Sequence, residues 1–179
     1  MNKEELIDQI CQHHYSFIDY INSLNDEEFE QSVFEKWTAG QQTEHILISI
    51  KPITKAFLLP NLLLKMVIGK SNREGYSYNE IVDKYHIKLE EGGKAPSNFL
   101  PKKVLLNQKS ELLKSLKKVV FTLSTQINDF SEEQLDTLLL PHPLLGKLTL
   151  REMMYFTIYH VQHHHKKTIE NLKKDTVKK

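Results

Sequence analysis

The sequence of 179 residues has a single cysteine, Cys11, which excludes an internal disulfide and a thiolate-rich zinc site. A reducing compartment suits such a chain. Long hydrophobic runs are also missing. The longest, Leu62 to Ile68, is interrupted by Lys65 and falls far short of the about 20 apolar residues that span a bilayer. At the N-terminus, Glu4 and Glu5 stand where an export signal would place basic residues ahead of an apolar stretch. A soluble, cytoplasmic protein with no membrane contact is expected. Charge of one sign is lacking too: 24 Lys and Arg face 23 Asp and Glu, a formal net charge of +1. No field exists to hold a polyanion across the surface. Only Arg73 and Arg151 are arginines, so the planar donors favoured in phosphate and guanine recognition are scarce, and nucleic acid is not expected as a partner.

What is present is ordinary globular usage, 40% hydrophobic and 26% charged, in a length that suits one domain over residues 1–179. The dominant pattern is helical. Ile7, Ile10, Phe17, Ile21 and Leu24 recur at helical spacing from Lys3 to Leu24, with His14 in the same register and Asn2 as the N-cap. Thr38 caps a second helix, Ala39 to Leu59, whose Ile46, Ile50, Ile53 and Phe57 share one arc. Pro52 inside it predicts a kink near Ile48, Pro60 ends or redirects it, and the helix can resume from Asn61 to Ile68. A third helix is predicted from Val104 to Phe130, with Leu105, Leu112, Leu116, Val119, Leu123 and Ile127 on its apolar side. Ser131 to Gln134 reads as a capped turn. Thr149 caps a fourth helix that continues to about Leu172, followed by a lysine-bearing tail.

No stretch shows the sustained alternation of a sheet, so the fold class is all-α, a four-helix bundle. Between helices 2 and 3 lies a long irregular connection, residues 69–103, with Gly75, Gly92, Gly93 and Pro96 and a weak helical stretch from Tyr78 to Leu89. Connections of this length either cover a binding site or decorate the surface.

Nine histidines carry most of the chemical information. His160 and His164 are four apart on the fourth helix, so they project from one side and can share a metal ion. They align with Met153 and Thr157 at the border of the apolar stripe. His45 holds a comparable border on the second helix, in line with Gln42 and Ser49, and is the natural third ligand. Three neutral imidazoles leave a coordination position open. By spacing alone, two solvated histidines on a polar face fit equally well. His-Glu-x-x-His and Glu-x-x-His are both absent, which excludes the helix-borne zinc protease and the carboxylate-bridged di-iron bundle.

The block Lys36-Trp37-Thr38-Ala39-Gly40-Gln41-Gln42-Thr43-Glu44-His45-Ile46-Leu47 resembles the entry to the second helix of the DinB/YfiT-like superfamily. His142-Pro143-Leu144-Leu145-Gly146-Lys147-Leu148-Thr149, followed by His160-Val161-Gln162-His163-His164, is similar to its last helix, including the His-x-x-His-His ending. The resemblance implies a DinB-like four-helix bundle, often dimeric, in which His45, His160 and His164 hold one divalent ion: Zn, Ni, Mn or Fe. It also implies a metal-dependent enzyme acting on a small molecule, a hydrolase or a thiol S-transferase with a low-molecular-weight thiol as cosubstrate. The alternative is a non-catalytic dimeric module with a structural or sensing metal. The chain departs from the family pattern in its 69–103 connection and in Lys166-Lys167.

The remaining candidates have plainer expectations. His14 is either a hydrogen-bonded core residue or a partner of the metal chamber. His142, Pro143 and Gly146 shape the loop entering the last helix, with substrate contact as the second reading for His142. His13 is expected to be exposed and His165 to pack at a bundle or subunit contact; His163 points away from the ligand border, and His86 has no evident partner. Trp37 anchors the helix entry. Cys11 is structural, and Tyr15, Tyr155 and Tyr159 are candidate proton donors near the site. No general base can be assigned.

Overall fold

The computed structural model describes residues 1–32, 36–60, 63 and 69–176, with side chains up to Lys173. Helix α1 (Lys3–Ser23) starts at Asn2, whose side chain accepts from the Glu5 amide at 2.9 Å, and is followed by the short α2 (Asp26–Glu30). Thr38 caps α3 (Ala39–Phe57) in the same way, accepting from the Gln41 amide at 3.0 Å, and α3 runs through Pro52 without ending there. The proposed resumption from Asn61 to Ile68 lies, apart from Leu63, outside the described residues.

The long connection is more ordered than its composition suggests. It contains α4 (Tyr78–Glu90), capped by Ser77, and a single 3₁₀ turn at Ser97–Phe99. Only Ile81 and Tyr85 of α4 are fully buried, which explains its weak helical pattern. After a 3₁₀ turn at Leu106–Gln108 come α5 (Lys109–Ile127) and α6 (Glu132–Thr137), the latter capped by Ser131 as its sequence indicates.

The sequence pattern does not reveal the hairpin that follows, β1 (Leu139–His142) and β2 (Gly146–Thr149), paired antiparallel with His142 opposite Gly146. Four residues per strand are too few for alternation to show. Gly146 closes the turn at φ +75°, a left-handed conformation that side-chain-bearing residues resist. Thr149 then caps α7 (Leu150–Thr176), with the Glu152 carboxylate returning the bond to the Thr149 amide at 2.8 Å.

The four long helices α1, α3, α5 and α7 form the bundle, and its order decides where the histidines meet. Helices α1 and α3 each pack on both α5 and α7 but scarcely touch one another. Successive long helices α1 and α3 are therefore diagonal, with α2 crossing between them. Gly40 allows this crossing, since a Cβ there would meet the Phe29 ring at 2.9 Å. The consequence is that α3 lies beside α7. Helix α7 is surrounded by α1, α3, α4, α6 and the hairpin, so Met153 to Ile158 are all buried.

Candidate metal centre

Packing α3 against α7 brings His45 to His160 and His164, and the three side chains are buried, each at most 7% exposed. His160 Nε2 lies 3.2 Å from His45 Nε2 and 3.1 Å from His164 Nε2. All three ligand-capable nitrogens fall within 4.8 Å of one another.

The outer nitrogens of the two flanking rings are fixed by carbonyl oxygens, which only accept. His45 Nδ1 donates to the Phe99 carbonyl at 2.8 Å and His164 Nδ1 to Gln42 Oε1 at 2.5 Å. Their protons therefore sit on Nδ1, and their Nε2 lone pairs face inward, as in metal sites whose ligating imidazoles are oriented by a second hydrogen bond. His160 Nε2 carries at most one proton and can satisfy only one of these two neighbours. A cation between the rings satisfies all three. Tetrahedral bonds of about 2.0–2.1 Å set ligand nitrogens about 3.3 Å apart, close to the 3.2 and 3.1 Å from His160 to its two neighbours.

Electrostatics keep the rings in the ligating form. Burial pushes the pKa of His160 well below the usual imidazole range, with the neighbouring His164 and His45 adding to the shift. His164 is lowered by burial and then by His45, and His45 by burial, partly opposed by its bond to Phe99. Neutral imidazoles are the competent ligands, so the residues present fit a divalent ion.

The sequence profile of the DinB superfamily matches residues 9–167. The chain belongs to this superfamily. Among solved structures it is similar to YfiT from Bacillus subtilis, described as a probable metal-dependent hydrolase with an unusual four-helix bundle topology. The two share 16% identity with a TM-score of 0.61, over 97% of this chain and 87% of that one. No curated protein matches the sequence.

A cavity of about 120 Å³ opens beside the triad, reaching His45 and His160. Its walls come from α3, α4, the 95–99 segment, the hairpin and α7, and they are mostly apolar. The long connection thus covers the site. Among the described residues, no Asp, Glu, Lys or Arg lines the cavity.

Several residues take positions that sequence reasoning did not assign. Trp37 anchors the helix entry and also covers the triad, its ring 5.0 Å from His45 and stacked on His164 at 6.1 Å. Gln42 and Phe99 orient the rings of His164 and His45, a role that only tertiary contacts reveal. Tyr85 of α4 lines the cavity, while Tyr15, Tyr155 and Tyr159 do not. Tyr155 accepts from the N-terminal amine, and Tyr159 pairs with His86 at 2.6 Å, which supplies the partner that His86 lacked in sequence.

The other histidines are structural or peripheral. His14 is a buried core residue, with Nδ1 donating to the Ile10 carbonyl at 2.8 Å, and it lines a small void together with His160 and Ser49. His165 packs on Phe17 and Tyr20 of α1. His13 is half-buried rather than exposed and bonds Gln9 at 3.0 Å. His163 is half-buried outside the cavity, and Cys11 is free and half-buried on α1.

Proposed function

We propose that this protein is a metal-dependent enzyme in which His45, His160 and His164 hold one divalent ion and a small substrate enters the adjoining cavity. The observation that carries this reading is the convergence of three inward-facing Nε2 atoms at the wall of an accessible, largely apolar chamber. When bound there, a divalent ion lowers the pKa of a coordinated water or thiol and so supplies an anionic nucleophile at neutral pH.

The chain's own residues set the conditions for that chemistry. Phe99 and Gln42 hold two ligand rings in one tautomer. Trp37 and the surrounding apolar side chains exclude bulk water, which strengthens every charge interaction inside. The likeness in fold to a probable metal-dependent hydrolase supports hydrolysis as the reaction, with thiol S-transfer to a cellular low-molecular-weight thiol as its close variant. A homodimer belongs to the same proposal and is checked by sedimentation.

The competing reading is a non-catalytic module in which metal is structural. Visible absorption of the cobalt(II)-loaded protein separates the two. The enzyme reading predicts that added azide or a thiol shifts the cobalt bands, because a coordination position exchanges. A spectrum unmoved by both would indicate a closed site and overturn the proposal.

A further inference from the structure

Besides the hydroxyls of Ser49 and Tyr85, the cavity has one polar side chain outside the triad whose orientation is fixed by backbone bonds, His142. It sits at the end of β1, where its Nδ1 accepts two backbone bonds, from the Leu144 amide at 3.2 Å and the Leu145 amide at 3.0 Å. A nitrogen that accepts both bonds carries no proton, so the ring's proton is on Nε2. Among the described residues no protein group accepts from that Nε2, and the atom is not sealed from solvent. The ring lines the cavity. The Phe156 ring lies between it and the triad, 4.2 Å from His142 and stacked 4.8 Å from His160. Burial lowers the His142 pKa to about 4, so the ring stays neutral and keeps this tautomer near pH 7.

We propose that His142 donates a hydrogen bond from Nε2 to the carbonyl-type oxygen of a neutral, largely apolar substrate bound in this cavity. The inference deepens the reading of the cavity as a substrate site and rests on it. Two features define the substrate class. The lining's own side chains carry no charge, so a carboxylate or phosphate held at the His142 end, away from an ion at the triad, would lose its hydration without a countercharge. The donor is itself neutral and fixed by the hairpin, which suits an uncharged acceptor such as a ketone, ester, thioester or amide. The proton remains on Nε2 throughout, and no bond is made or broken at His142. The turn amides thus orient His142 as Phe99 and Gln42 orient the ligands, with the opposite outcome. The rings of His45 and His164 present a lone pair to the site and His142 presents a proton.

The test compares cyclohexanone with methylenecyclohexane, which has a similar shape and no oxygen, by NMR titration of the zinc-loaded and chelator-treated protein. In the native chain the ketone is expected to bind about five-fold more tightly and to move the His142 Nε2 resonance. In His142→Asn the short side chain still accepts from the turn amides, preserving the hairpin, but cannot reach the cavity, and the preference falls to none. In His142→Gln the amide restores a donor at the longer reach and recovers part of the preference. Equal binding of the two probes by the native chain, or an undiminished preference in folded His142→Asn, overturns the inference. A ketone preference in a chain that binds no zinc sustains the role of His142 and overturns the metal-enzyme reading instead.

Discussion

His14 shows how one buried side chain ties stability to pH. It is 1% exposed and its Nδ1 proton is committed to the Ile10 carbonyl. Burial lowers its pKa from 6.5 to about 4, the backbone bond opposes this in part, and His13 adds a smaller push in the same direction. Between those values the unfolded chain takes up a proton that the folded chain refuses, so stability falls as the pH drops below 6.5 and levels off below about 4. From pH 7 to pH 5 this group alone is expected to remove about 2 kcal/mol. Denaturant unfolding of the native chain and His14→Met at both pH values checks it. The variant is predicted to lose less stability by that amount, and parallel losses would contradict the assignment.

At the scale of elements, the connection is held to the last helix by an ion pair that neither local pattern announces. Arg73 forks onto Glu152 at 2.6 and 2.7 Å, and the same buried carboxylate accepts from the Tyr76 amide at 2.7 Å and the Thr149 amide at 2.8 Å. Burial pushes the Glu152 pKa up, and the Arg73 bond with the two amides outweighs it, leaving the carboxylate below its usual range. This contact fixes the start of α4 and the N-terminus of α7, and with them two walls of the cavity. Arg73→Ala leaves the buried charge without its counterion and is expected to cost about 2–3 kcal/mol, moderated because Arg73 is one-third exposed. Arg73→Lys recovers little of this, since an ammonium cannot make the forked contact. Urea unfolding of the three proteins measures the order, and a wild-type midpoint for Arg73→Ala would remove this pair from the account.

For the whole molecule, what the sequence discloses and what it hides divide along physical lines. The bundle helices repeat apolar residues every three to four positions, and Asn2, Thr38, Ser131 and Thr149 mark starts that the structure reproduces. The i,i+4 pair His160 and His164 is local and readable, and the family-like blocks around His45 and His142 supply its companion on α3. Residues assembled by tertiary packing are silent in sequence: Phe99 bonds His45 54 positions away and Gln42 bonds His164 122 positions away. The hairpin escapes because its strands are short, whereas α4 shows in sequence as a weak helical stretch, weak because only Ile81 and Tyr85 are buried. Among the described residues no helix is long and apolar enough to cross a membrane.

The same scale holds the central claim, because a shared ion would tie α3 to α7 across the bundle and bind only the folded arrangement. Metal analysis of the untagged protein beside His45→Ala and His164→Ala tests it most directly. The account predicts about one divalent ion per native chain, little or none in either variant, and a melting temperature that falls when the native chain is stripped by a chelator. Undiminished stoichiometric metal in both variants, or a native chain that takes up none from zinc, nickel, manganese or iron, would contradict it.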